Sequence, residues 1–143
     1  MKRLTAALAL VATLLAVAPG LAADRNVKLT LDGRPVDRAG GVAVLHNGVV
    51  YADVVPLVKS FDGLLTFQGN AVVVSIHGVT GRFTDGSRTV LIGQGAITMR
   101  GQTFKVNGDF YVPLDTFVTQ IAKAKLRVNA AQTQADIYVN ASL

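Results

Sequence analysis

One phrase is written twice in this chain, and it narrows the folds open to it. Residues 45–61 read LHNGVVYADVVPLVKSF, and residues 105–121 read KVNGDFYVPLDTFVTQI. Laid side by side without gaps, Asn47, Gly48 and Tyr51 fall on Asn107, Gly108 and Tyr111. Val54, Leu57, Val58 and Phe61 then fall on Leu114, Phe117, Val118 and Ile121. Asn-Gly is a strong hairpin signal, because both central residues of a type I′ turn need positive φ. Apolar residues at i, i+3, i+4 and i+7 make one face of an amphipathic helix. In the later copy Pro113 suits the first helical position, where its missing N–H is not needed. Asp115 follows in the first turn, facing the positive end of the helix dipole. In the earlier copy Asp53 is the natural N-cap, Pro56 falls in the tolerant first turn and Gly63 is a C-cap candidate. A strand pair follows each helix: LLTFQGNAVVVSI after the first, KLRVNAAQTQADIYV after the second. The unit is therefore turn, short strand, helix, hairpin, in halves of approximately 27–78 and 88–139. An internal repeat means that neither half buries its apolar face alone, so each packs against the other.

The rest of the chain reads as short strands between glycine turns. VKLTL (27–31) alternates and runs into Asp32-Gly33, a two-residue hairpin signal. Further strands are predicted at 41–45, 49–51, 64–68, 71–76, 88–92, 96–99, 102–106, 125–129 and 135–139. Spacing this tight argues antiparallel pairing, since parallel strands need longer crossovers. The expected fold class is α+β: one or two curled antiparallel sheets packed with two short helices.

The N-terminus predicts export. Lys2 and Arg3 precede an uncharged, almost wholly apolar run at 4–18, then Pro19-Gly20 and the small residues LAAD. This is the pattern of a cleavable signal peptide over 1–23, with cleavage after Ala23 or, as a near alternative, Ala22. The run is shorter than the ~20 residues of a membrane span, so no transmembrane segment is expected after cleavage. The single domain is then 24–143, a size that can bury its own core. The chain has no Cys, so no disulfide can staple it, and it is held by that core alone or by oligomerisation. Without Lys2 and Arg3, 12 basic residues face nine acidic ones, all Asp. That balance is mildly basic and is no nucleic-acid footprint. Trp is absent and aromatics are few, which weakens a base-stacking or sugar-stacking role.

Asn107-Gly108, Tyr111-Val112-Pro113-Leu114 and the hairpin after them resemble the repeat of the copper amine oxidase N-terminal (stalk-like) domain family. Asn47-Gly48, Tyr51 and the helix to Phe61 resemble a degenerate first copy, with Ala52-Asp53-Val54 in place of the valine-proline-leucine run. LDGRPV (31–36) and MRGQTF (99–104) resemble the short glycine-turn hairpin that precedes the family repeat. Two positions depart from the family pattern. Val55 and Asp115 stand where it often carries Arg, and Phe67-Gln68 and Val128-Asn129 stand where it often ends a strand with Trp-Asp. The resemblance implies a secreted or envelope accessory module with no redox chemistry of its own.

No pattern of catalytic residues stands against this. With two His and no Cys, a copper or zinc site lacks its usual three or four N/S ligands. His46 reads as a turn residue and His77 as a strand-end residue. None of Ser60, Ser75, Ser87 or Ser142 lies in a nucleophile elbow or an S-x-x-K pair. Asp32, Asp62 and Asp85 each precede Gly in a turn, and Asp53 and Asp115 sit at helix starts, so these carboxylates read as structural. One constellation remains: Lys123, Lys125 and Arg127 at i, i+2 and i+4, with Leu126 and Val128 on the other face. On a strand this makes a one-sided basic stripe, suited either to an anionic envelope polymer or to keeping an edge strand from pairing. The expected function is a non-enzymatic binding or structural module. It is secreted, or held in the periplasm or at the cell surface. It uses no cofactor or metal, and its partner is an anionic cell-envelope polymer or an envelope protein. The alternative is a small secreted hydrolase or a protease-inhibitor-like protein.

Overall fold

The computed structural model describes residues 24–36 and 41–139. The signal segment and its cleavage site lie outside them. The strands are β1 (Arg25–Leu31), β2 (Arg34–Pro35), β3 (Ala43–His46), β4 (Val49–Asp53), β5 (Leu64–Gln68), β6 (Ala71–Ile76), β7 (Val79–Thr84), β8 (Thr89–Ile92), β9 (Gly95–Thr98), β10 (Phe104–Val106), β11 (Asp109–Pro113), β12 (Lys125–Val128) and β13 (Gln134–Tyr138). Helix α1 (Val54–Ser60) follows β4, and helix α2 (Leu114–Thr116) follows β11 and continues as a π turn over Phe117–Ile121.

Two open sheets and two short helices make an α+β fold. One sheet runs β10-β11-β4-β3-β1-β13-β12, with β2 also against β1; the other is the meander β5-β6-β7-β8-β9. Every pairing is antiparallel except one. β1 and β13 run parallel, from Lys28 opposite Gln134 to Leu31 opposite Ile137. This corrects the all-antiparallel expectation. Almost the whole chain serves as the crossover, a connection that short-range spacing cannot reveal.

The turns follow from their residues. Asn47 and Gly48 take φ of 50° and 78°, and Asn107 and Gly108 take 51° and 87°. Asp32-Gly33 and His77-Gly78 repeat the same pair of positive φ values. The turn at His77 leads into β7, a strand absent from the sequence prediction. Its pattern is broken by Gly81, and Gly81 is there for space: a Cβ at that position would run into Ile121.

The same element order occurs twice, β3-β4-α1-β5-β6 and β10-β11-α2-β12-β13. The central strands of the two units pair with each other: Tyr51 opposite Pro113, Ala52 opposite Val112, Asp53 opposite Tyr111. Moving each residue to its counterpart 60 positions away turns this register into itself, as a local two-fold axis between the units requires. The helices differ. Asp53 caps α1 through Oδ1, which accepts from the Val55 N–H at 3.1 Å. Pro113 is the N-cap residue of α2 rather than its first helical residue, and makes no side-chain cap. α1 ends with Asp62 at φ 59° and a Gly63 N–H to Val58 carbonyl bond of 3.0 Å. α2 ends with Lys123 at φ 55° and an Ala124 N–H to Val118 carbonyl bond of 2.9 Å. The second closure is one residue longer, and the π turn, with Ala122 N–H on Phe117 carbonyl, absorbs that residue. Gly63 is thus not the left-handed residue that a C-cap role implied. It is needed because a Cβ there would stand 2.8 Å from the Ser75 carbonyl oxygen.

One buried cluster joins the units and both sheets. Leu57, Val58, Leu114, Phe117, Val118 and Ile121 from the helices are fully buried. Phe117 lies 6.0 Å from Phe61 and 6.5 Å from Phe83, ring to ring. Burying side chains of this size contributes ~1.5–3 kcal/mol each, which is how a cysteine-free chain stays folded.

Candidate functional site

A cleft of about 400 Å³ opens where the β3–β4 turn meets β10 and the segment before it; His46, Tyr51, Arg88, Arg100 and Phe104 border it. Its floor is aromatic. The His46 and Phe104 ring centres are 4.5 Å apart, Tyr51 and Phe104 4.8 Å, and Tyr111 stacks behind Phe104 at 5.3 Å. Strand alternation brings these rings together, because Phe104 pairs with Tyr111 across β10–β11 and His46 ends β3 beside them.

Each polar group on the floor has a fixed role. His46 Nδ1 donates to Asp24 Oδ1 at 2.7 Å. That leaves Nε2 as an acceptor for the Asn47 side-chain amide at 3.3 Å, a self-consistent tautomer. The Tyr51 hydroxyl donates to the Gln102 carbonyl at 2.9 Å. Burial pushes its pKa above the usual tyrosine value, the Arg88 charge lowers it in part and Asp115 raises it further. Tyr51 is therefore a neutral donor. Gly101 is required beneath it, since a Cβ would collide with the Tyr51 hydroxyl.

The rim is cationic. Arg88 donates through one terminal nitrogen to the Met99 and Arg100 carbonyls, at 3.2 and 3.1 Å, which holds its guanidinium while other N–H groups stay available. Arg100 is 71% exposed and only 3.7 Å from Asp115 Oδ2, a loose pair of little energetic weight. Beyond Arg100 a small hollow of about 80 Å³ continues toward Leu126 and Val128. None of the residues bordering the cleft is Ser, Thr or Cys, and no group of three metal-ligating side chains occurs among the described residues. A larger hollow of about 470 Å³ between β2 and α1 ends at Val36, beside residues 37–40, which are not described.

The predicted stripe falls elsewhere. Lys125 and Arg127 are exposed on β12, an edge strand, with Leu126 and Val128 turned toward the hollow beside Arg100. The basic pair therefore faces away from the cleft. Lys123 is not on the strand. It is the left-handed residue that ends α2, which corrects the three-residue stripe. The sheet adds two charges that local sequence did not reveal: Asp136 pairs with Arg127, and Lys28 pairs with Gln134 on the same face. Asp136 Oδ1 accepts from the Thr30 hydroxyl at 2.6 Å and from the Gln134 side-chain amide at 2.9 Å. These bonds, Thr30's first, hold the Asp136 carboxyl below the usual carboxylate range. His77 sits exposed in the β6–β7 turn, as a turn residue, while His46 belongs to the cleft. Its link to Asp24 spans 22 residues and had no sequence signal. No helix among the described residues is long and apolar enough to cross a membrane. Comparison with protein-family models, with curated proteins and with solved structures finds no match to this chain.

Proposed function

We propose that this protein is a secreted or cell-envelope, non-enzymatic binding module whose cleft takes a carboxylate or similar anion presented on a polymer. The observation that carries this is the pairing of two cationic side chains, Arg88 and Arg100, with a floor of clustered aromatic rings. Guanidinium groups bind planar anions through paired N–H donors. The rings offer the polymer apolar faces and edges to pack against. A binding role is favoured over the hydrolase alternative because Asn47, rather than a hydroxyl or thiol, occupies His46 Nε2. The basic patch of Lys28, Lys125 and Arg127 adds a second, salt-sensitive contact on another face.

We also infer that the two units are copies of one repeat, as in the copper amine oxidase N-terminal domain family that the chain resembles. Their identical element order, and a β4–β11 register that maps onto itself, support that reading. The signal-like residues 1–23 support export.

Binding to polygalacturonate, a carboxylated sugar polymer, tests the function. Arg88→Ala with Arg100→Ala should weaken binding at least tenfold, and Lys125→Glu with Arg127→Glu should chiefly flatten its salt dependence. Equal binding by wild type and the Arg pair variant removes the cleft from the function.

A further inference from the structure

The outer edge of the second sheet has the composition of a joint. Large exposed apolar side chains gather on β5: Leu64 is 75% exposed and Phe67 51%. The strand LLTFQ carries no charge and no proline. It is the terminal strand of its sheet, and among the described residues it makes no backbone hydrogen bonds except those to β6. Natural edge strands are normally blunted by Lys, Pro, bulges or shortness. The other edges lack such a pair of large exposed apolar side chains. β12 carries Lys125 and Arg127, three-residue β10 carries Lys105, and β9 presents only Gly95, Ala96, Ile97 and Thr98.

We propose that β5 is the contact through which two copies of this chain associate, strand against strand and antiparallel, about a two-fold axis at Thr66. The segment is self-complementary in that register. Leu65 of each copy stands opposite Phe67 of the other, and Leu64 opposite Gln68, with Thr66 on the axis facing its own copy. Leu65 and Phe67 alternate to the same face, where Phe67 already stacks on Phe110 at 5.6 Å. Cross-strand aromatic–aliphatic pairs of this kind stabilise a sheet. No like charges meet, whereas the same operation on β12, with its axis at Arg127, would set that guanidinium against its own copy. A five-residue edge covers little area, so the association is a weak one, with Kd of roughly micromolar to millimolar. The partner is a second copy because the strand fits itself, residue by residue, in one register.

The chain's lack of cysteine makes the test direct. Residues opposite one another across an antiparallel pair have Cα atoms ~4.5–5.5 Å apart, within disulfide reach. Thr66→Cys should give a disulfide dimer under mild oxidation at least tenfold faster than Thr98→Cys, a control on β9. Sedimentation equilibrium of the wild-type protein should show mass rising toward two copies with concentration. Thr66→Lys, an exposed substitution that sets two ammonium groups on the axis, should return it to one copy, while Thr98→Lys should not. The proposal fails if the protein stays monomeric to millimolar concentration. It fails equally if the dimer survives Thr66→Lys, if Thr66→Cys links no faster than the control, or if a monomer instead takes up an added extended peptide at β5.

Discussion

β5 and β12 hold the same place in the two units. Each is the first strand after its helix, each begins just beyond a left-handed residue, and each is the edge of its sheet. At the two outward positions where β12 carries Lys125 and Arg127, β5 carries Leu64 and Thr66. One local plan therefore ends in one edge that repels its own copy and another that accepts it. The lesson is that an edge strand's chemistry is a choice separate from the fold: exposed side chains can change freely while Leu65 and Leu126, half-buried in both, keep the strands seated.

The comparison rests on a common core, and breaking that core should have the largest effect. Phe117→Ala removes the ring between Phe61 and Phe83 and should cost about 3–5 kcal/mol. Urea unfolding should still show one transition, because both units share the cluster; two transitions would mean that the units fold separately. The edges themselves can be exchanged. Lys125→Leu with Arg127→Thr should weaken polygalacturonate binding about tenfold at low salt, or about 1.4 kcal/mol. The same variant should also create an association that Thr66→Lys does not abolish, readable by sedimentation.

The two helix ends sharpen the contrast further. Lys123→Gly relieves a left-handed conformation that a lysine adopts at a cost and should stabilise by about 0.5–1 kcal/mol. Asp62→Gly should gain less, since Asp tolerates that conformation. Thermal melts of the two variants would rank them. The smallest effect belongs to the β12–β13–β1 face. Thr30→Val deletes the main bond that lowers the Asp136 pKa. A carboxyl with a lowered folded-state pKa contributes stability above its ordinary value and loses it as pH falls through the lowered one. The variant should therefore be less stable at pH 7 by under about 1 kcal/mol, Asp136 being partly solvated, and the gap should close below about pH 4. A gap that persists in acid would mean that Thr30 acts through packing instead.

Much of the local plan was legible in the chain. The two Asn-Gly turns, the Asp53 cap, the helical faces and strands β5 and β6 all follow from residue chemistry acting within a few positions. β7 was not legible, because Gly81 hides its alternation for a reason that lies in Ile121, forty residues away. The basic stripe was legible only by halves: Lys125 and Arg127 alternate on a strand, while the extra residue taken up by the π turn drew Lys123 into the helix end.

By itself the sequence determined the units: which residues turn, which coil and which alternate, since backbone sterics and side-chain periodicity act over short range. Only the tertiary structure decided how the units are used. It set the parallel β1–β13 pair, the His46–Asp24 bond, the meeting of Arg88 and Arg100 over the aromatic floor, and which strands became edges. Those relations join residues far apart in the chain, and they form because burying one shared core outweighs any local preference for where each strand should pair.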